Sequence, residues 1–174
     1  PELEAMRADV DEMQAMLEDY MAFAKGDSGE AIVRTDIGEV LSEVKGQAHT
    51  NKPIDVEVKD APLIVPVRRH AFKRAVANLV NNAARFAQHI NVSAAKKNSA
   101  LTVSVEDDGP GIPEAEREEV FRPFYRLDHA RNQDAGSTGL GLAIARDIAR
   151  IHGGDIALSR SSLGGLKAVL KVPV

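Results

Sequence analysis

Three short stretches hold side chains whose types and spacing suit chemistry. Residues 136–143 read GSTGLGLA, so Gly136, Gly139 and Gly141 open what the following IARDIARIHGG marks as a helix. Glycine costs a helix about 1 kcal/mol relative to alanine, so such a start wants a reason. Bare N–H groups at a helix N-terminus bind anions, phosphate above all, and glycine lets the backbone come close. The alternative is a flexible loop that happens to precede a helix. A second stretch, SVEDDGPGIPEAE, ends a strand on which Leu101, Val103 and Val105 point one way and Thr102, Ser104 and Glu106 the other. Asp107 has the parity of the apolar set and should enter the buried side, where an unpaired carboxylate is costly. A ligand that donates a hydrogen bond, such as the amine of adenine, would satisfy it, with Gly109 and Gly111 turning the backbone alongside. A carboxylate that only caps the turn is the alternative.

The third stretch is a helix carrying Asn78, Asn81 and Asn82. Asparagine is a poor residue inside a helix, because its amide competes with the backbone. Asn78 and Asn82 lie one turn apart and share a face, with Arg85 further along it. The neutral oxygen of Asn82 suits Mg²⁺, which takes oxygen ligands and keeps several waters when it binds with nucleotide phosphates. Arg85 could pair with phosphate, although a polar, solvated stripe would look the same. Between the second and first stretches lies EEVFRPFYRLDHARNQDAGS. Phe121, Phe124 and Tyr125 form an aromatic hinge, and from Arg126 to Ser137 the chain turns polar and patternless, as expected of a lid over a ligand. Arg126 and Arg131 are candidates to reach a phosphate, with solvated loop arginines as the alternative.

These groups need elements to hold them. In residues 1–27, Leu3, Met6, Val10, Met13, Leu17, Tyr20 and Ala24 recur at alternating steps of three and four, flanked by acidic residues and closed by Gly26 as a C-cap. That is the seam of a coiled-coil or bundle helix, and it calls for a partner more than for docking on its own domain. Residues 28–174 read as α/β. Ile32–Arg34 is a short strand, and DIGEVLSEVKGQA a helix with Asp36 as N-cap and Glu39 completing a capping box. IDVEV is a strand, and RRHAFKRAVANLVNNAARFA a helix with Phe72, Ala75, Val76, Leu79, Ala83 and Phe86 at helical spacing. INVSAAK and LTVSVED are strands, the glycine-opened helix spans about Leu140 to His152, and two more strands close around Gly164–Gly165. Without βαβ regularity, the expectation is an α+β, two-layer sandwich: a mixed sheet covered on one face by helices, preceded by one bundle-forming helix.

Composition narrows the function classes. With 174 residues, 44% hydrophobic and 28% charged, the chain can bury a sizeable core. A formal charge of −4 and no Lys/Arg cluster argue against nucleic acid as a partner. The absence of cysteine excludes disulfides and thiolate metal sites. No apolar run is long enough to span a bilayer, and the opening at Pro1, already in helical pattern, suggests a fragment of something longer.

Taken together, in this order, the stretches resemble the N, G1, F and G2 boxes of sensor histidine kinases, in the superfamily shared with gyrase, chaperone and mismatch-repair ATPases. NLVNNAARF stands as N box, DDGPGI as G1, FRPFYR as F box and STGLGLAIA as G2, and KRAVANLVNNAARF and VEDDGPGIPEAEREEVFRPFYR are similar to EnvZ-type osmosensor kinases. The likeness covers Ile32 to Val174, while the acidic first helix resembles the second helix of that family's dimerisation and histidine-phosphotransfer hairpin. The resemblance implies that Asn82 binds Mg²⁺, that Asn78 supports the phosphates or the metal's surroundings, and that Arg85, where the family often has lysine, touches phosphate. Phe86, where tyrosine is usual, would pack by adenine. Asp107 would accept from the adenine amine, with Gly109, Gly111 and Ile112 lining the base pocket. Arg126 and Leu127 would border the nucleotide, and Thr138, Gly139, Leu140, Gly141 and Leu142 would cradle the phosphates. Ser137 replaces a frequent glycine there.

The resemblance further implies ATP and Mg²⁺ as ligands and transfer of the γ-phosphoryl to a histidine of the hairpin, in the same or a partner subunit. From there it would pass to an aspartate of a response regulator. A homodimer through the bundle helix and a cytoplasmic domain of a membrane-anchored parent also follow. None of the five histidines, His49, His70, His89, His129 and His152, has the phosphoacceptor's context, so this chain is not expected to phosphorylate itself. Where the superfamily's hydrolases place a glutamate, four residues before the metal-binding asparagine, stands Asn78, which cannot take a proton from water. That favours phosphotransfer over hydrolysis. The rivals are an anti-sigma-factor-type serine kinase and a degenerate nucleotide-binding scaffold without turnover.

Overall fold

The computed structural model describes residues 2–25, 29–127 and 139–174, and all structural statements concern these. Helix α1 spans Glu2–Lys25. Its seam residues Leu3, Met6, Val10, Met13, Leu17 and Tyr20 are half to three-quarters exposed, from 52% at Tyr20 to 75% at Leu3. The stripe therefore does not dock on this chain's own core. Gly26, expected to cap the helix, lies outside the described residues.

Strand β1 is Val33–Asp36, and α2 is Ile37–Gln47. Asp36 caps α2 as expected, but its carboxylate accepts from Gly38 N at 2.8 Å and not from Glu39. β2 is Ile54–Val58, and β3, Ile64–Val67, is a strand that sequence reasoning left out. β3 pairs antiparallel with β1, bringing Val65 and Val67 into the core while Pro66 stays exposed. Helix α3 is Arg69–Phe86, followed by β4, Ile90–Lys97, and β5, Ala100–Asp107. Asn98 and Ser99, with φ of 50° and 60°, make the two-residue turn that joins β4 to β5, the left-handed pair such hairpins require. Two short 3₁₀ turns, Glu114–Glu116 and Glu119–Phe121, lead to α4, Gly141–Ile151, and then to β6, Asp155–Arg160, and β7, Leu166–Pro173.

The main sheet runs β2-β4-β5-β7-β6, parallel at β2/β4 and antiparallel elsewhere. Alternation is clean: Leu101, Val103 and Val105 of β5 and Leu166, Ala168, Leu170 and Val172 of β7 are buried, their neighbours half-exposed or exposed. That apolar face lies under α2, α3 and α4, which gives the mixed, one-face-covered sandwich the pattern implied. Phe72, Ile37, Leu41, Ile90, Leu101, Leu140, Ile148 and Leu170 fill the single core between the layers.

Polar contacts tie the helices together. No side chain at Arg68, the N-cap position, caps α3; instead the Glu30 carboxylate accepts from His70 N at 2.7 Å and Ala71 N at 2.9 Å, one amide per oxygen. Negative charge there also meets the positive end of the helix dipole. His152, at the end of α4, accepts from Arg68 N through Nε2 at 3.0 Å, so Nδ1 carries the hydrogen that faces Ile148 O at 2.7 Å. Its ring stands edge-on to Phe72. Among the described residues, no helix is long and apolar enough to cross a membrane.

Asp108 holds the loop between α3 and β4: Oδ1 accepts from Gln88 N at 2.7 Å and His89 N at 2.9 Å. Bonds from His89 and Gln88 pull its pKa below the ordinary carboxylate value. A depressed carboxylate contributes stability above its unfolded pKa and loses it as pH falls through the folded one. Urea denaturation should find wild type more stable than Asp108→Asn at pH 7. That advantage should vanish on acidification below the ordinary carboxylate range.

Candidate functional site

β5 delivers Asp107 to the buried side, as its parity requires, at 5% exposure. Oδ1 accepts from Gly109 N at 2.9 Å and Leu166 N at 3.1 Å, whereas Oδ2 receives no bond among the described residues. Burial pushes the pKa up; the two backbone donors oppose the shift, and the neighbouring Asp108 charge adds to it. The two adjacent aspartates thus divide the work: Asp108 fastens a loop, while Asp107 presents an oxygen that makes no hydrogen bond among the described residues.

Glycines crowd around the other oxygen, Oδ1. A Cβ on Gly109 would stand 3.1 Å from Asp107 Oδ1 and 3.2 Å from the Phe86 carbonyl, so the end of α3 and the G1 loop touch there. Gly111, at φ +71°, lies against Gly165. Gly165, in the turn between β6 and β7, went unassigned to the site in the sequence, yet it is the tightest of the group. A Cβ there would overlap the Asp107 carboxylate and backbone and the Gly109 amide. Its backbone N–H donates to Asp107 O at 3.0 Å. Gly164, at φ +104°, supplies the turn's left-handed residue. The second glycine of a GG pair was the available signal, since one alone makes the turn.

On α3, Asn78, Asn82 and Phe86 are half-buried and Arg85 is exposed. Asn78 Nδ2 is buried and has no hydrogen-bond partner among the described residues, a costly arrangement for an amide. The core face of α3 is Phe72, Ala75, Val76, Leu79 and Ala83, so Phe86 sits at its edge and not in it.

At the start of α4 the glycines have separate reasons. Gly139 has φ +72°, and a Cβ on it would come within 2.8 Å of the Phe124 backbone, whose N–H donates to Gly139 O at 2.9 Å. Gly139 is therefore demanded by the protein itself. Gly141 has nothing within 4 Å of a Cβ among the described residues, which leave open space beside the helix start, where the N-cap residue Leu140 offers no side-chain cap. Leu140 is buried and Leu142 half-buried, as are Ile112, Arg126 and Leu127. Thr138, Gly136, Ser137 and Arg131 lie outside the described residues.

The groups meet pairwise: α3 with the G1 loop through Phe86 and Gly109, the G1 loop with the β6–β7 turn, and the F box with Gly139 through Phe124. α3 also packs along α4. A model of the family described as histidine kinase-, DNA gyrase B- and HSP90-like ATPase matches residues 68–174. The chain belongs to this family. Within this ATPase family it is similar to the sensor histidine kinase CpxA of Escherichia coli strain K12, with 33% identity over 99% of this chain and 40% of CpxA. The chain thus spans about two-fifths of the length of that curated relative. The histidine kinase domain of the E. coli osmosensor EnvZ superposes with a TM-score of 0.62 at 38% identity, over 81% of this chain and 88% of that domain. Full-length ShkA in complex with AMPPNP shares the fold at a TM-score of 0.83 and 22% identity, over 98% of this chain and 37% of ShkA.

Because the raised Asp107 pKa opposes folding once the group ionises, its stability contribution is full below the unfolded pKa and lost as pH rises through the folded one. Asp107→Asn should therefore unfold in urea at the same or a higher midpoint at pH 7. Gly165→Ala, which overfills the same spot, should lose about 1–3 kcal/mol.

Proposed function

We propose that residues 28–174 are the ATP-binding catalytic domain of a sensor histidine kinase. The carrying observation is Asp107: a buried carboxylate whose Oδ2 makes no hydrogen bond among the described residues, set against Gly109 and Gly165 with Gly111 beside the latter, suits the amine of adenine. In this reading Phe86, Ile112, Arg126 and Leu127 line the nucleotide pocket around the base. The space that the described residues leave open at Gly141 and the start of α4, where Leu140 offers no side-chain cap, suit phosphate oxygens, with Thr138, Gly139, Leu140 and Leu142 completing the cradle. Arg85 adds positive charge on the neighbouring helix.

The chemistry of α3 fits a divalent cation. The Asn82 amide oxygen would hold Mg²⁺, and the orphaned Asn78 amide would donate to a phosphate oxygen or a metal-bound water. When bound, Mg²⁺ neutralises phosphate charge and orients the chain of phosphates. The protein's own groups fix the base, hold the phosphates and offer no carboxylate base for water at Asn78. Attack by a histidine nitrogen then forms the P–N bond while the bond to the bridging oxygen breaks, and ADP leaves. Positioning and charge neutralisation suffice for such a transfer.

In this reading, residues 1–27 are the second helix of the dimerising hairpin, and the exposed seam of α1 pairs in a bundle with the partner subunit. The phosphohistidine passes its group to a response regulator, and the domain works in the cytoplasm below a membrane anchor elsewhere in the parent.

The test supplies the chain with ATP labelled at the γ-phosphoryl and a separate histidine-bearing hairpin. Acid-labile label should appear on the hairpin, require Mg²⁺, and not appear on the chain alone. Asp107→Asn and Asn82→Ala should each weaken ATP binding at least about tenfold, and Asn78→Glu should raise hydrolysis. Acid-stable label on serine, or hydrolysis by wild type as fast as a dedicated ATPase, would overturn the reading.

A further inference from the structure

Arg146, in the second turn of α4, is nearly buried, its side chain 14% exposed, and makes three contacts at once. Nε and Nη2 donate to the Asp155 carboxylate at 2.9 and 3.3 Å, and Nη1 donates to Glu118 at 2.9 Å. The guanidinium carbon lies 4.3 Å from the centroid of the Phe121 ring. Asp155 begins β6, whereas Glu118 lies just before the F box and Phe121 opens it. A lone exposed ion pair would fix little. This one is a planar fork held by a carboxylate while its face covers an aromatic ring, a geometry that lysine cannot reproduce.

The contacts form a circuit. From Phe121 the chain runs through Arg122 and Pro123 to Phe124, which holds a left-handed φ of +66°, rare for an aromatic residue. Phe124 N donates to Gly139 O, and its backbone fills the space a Cβ on Gly139 would need. Gly139 leads directly into Leu140 and Gly141, where α4 begins. The circuit leaves α4 at Arg146 and returns to it at its first turn. We propose that Arg146 is a positioning residue for the nucleotide: it holds the Phe121–Phe124 segment where Phe124 fixes Gly139, and thereby sets the backbone at the phosphate-facing start of α4. The inference rests on the ATP reading above. Arg146 itself touches no substrate.

The experiment is titration of the chain with a fluorescent ATP analogue and Mg²⁺, stopped-flow release of that analogue, and urea denaturation without nucleotide. Arg146→Met keeps the stem and loses the fork; under conditions where it is folded, its Kd should rise about tenfold, mostly through faster release. Arg146→Lys keeps the charge only and should recover part of this, to about threefold above wild type. Phe121→Leu added to Arg146→Met should raise Kd by less than the product of the single effects, since both act along one path. At saturating ATP, transfer to a supplied hairpin should keep its rate, so KM moves and kcat does not. If Arg146→Met does not fold, Arg146→Lys and Asp155→Asn carry the test. Kd values within about twofold of wild type, alongside a lowered urea midpoint, would show a merely structural contact and overturn the proposal. Failure of wild type itself to bind would sink the ATP reading, a separate result visible before any variant is made.

Discussion

A carboxylate at 5% exposure is costly to charge, and at Asp107 the two backbone donors both go to one oxygen, leaving Oδ2 without a hydrogen bond among the described residues. Two backbone donors converge on one oxygen, which holds the side chain still without discharging it. The rest of the site follows from keeping that arrangement possible. Gly165 must lack a side chain for Leu166 N to reach the carboxylate, and Gly109 must lack one to fit between Asp107 and Phe86. Burial opposes charging this acid, and a binding site can store part of its affinity in such a cost before its ligand arrives.

The sheet and helices make this strain tolerable. β5 is central, flanked by β4 and β7, so the end that carries Asp107 is held on both sides by antiparallel ladders. Asp108, one residue on and on the opposite face, ties the same strand end to the loop after α3. The amide-bearing helix and the Asp107 carboxylate are therefore fixed to each other through the Asp108 side chain, which accepts from the backbone just after α3.

Much of this was legible in the residues, where the cause was local. Period-two alternation placed Asp107 inside, Asp36 announced the start of α2, and helical spacing marked the buried face of α3. What escaped depended on distant neighbours. β3 is four residues long and interrupted by Pro66, and it becomes a strand because β1 pairs with it. Gly165 matters only because β7 brings it beside β5. Nothing in the sequence marks Arg146, since Glu118 and Phe121 are remote from it in sequence. Even the glycines of GLGLA divide: Gly139 answers to Phe124, and Gly141 to space that the described residues do not fill.

The cap on α3 has one more consequence. The carboxylate that closes its first turn comes from Glu30, upstream of β1, while the family's shared stretch begins at residue 68. Ile37, Leu41, Val65 and Val67, all in the core, also precede that boundary. Trimmed to the shared stretch, the asparagine-bearing rod would therefore lose both its anchoring anion and a wall of its packing.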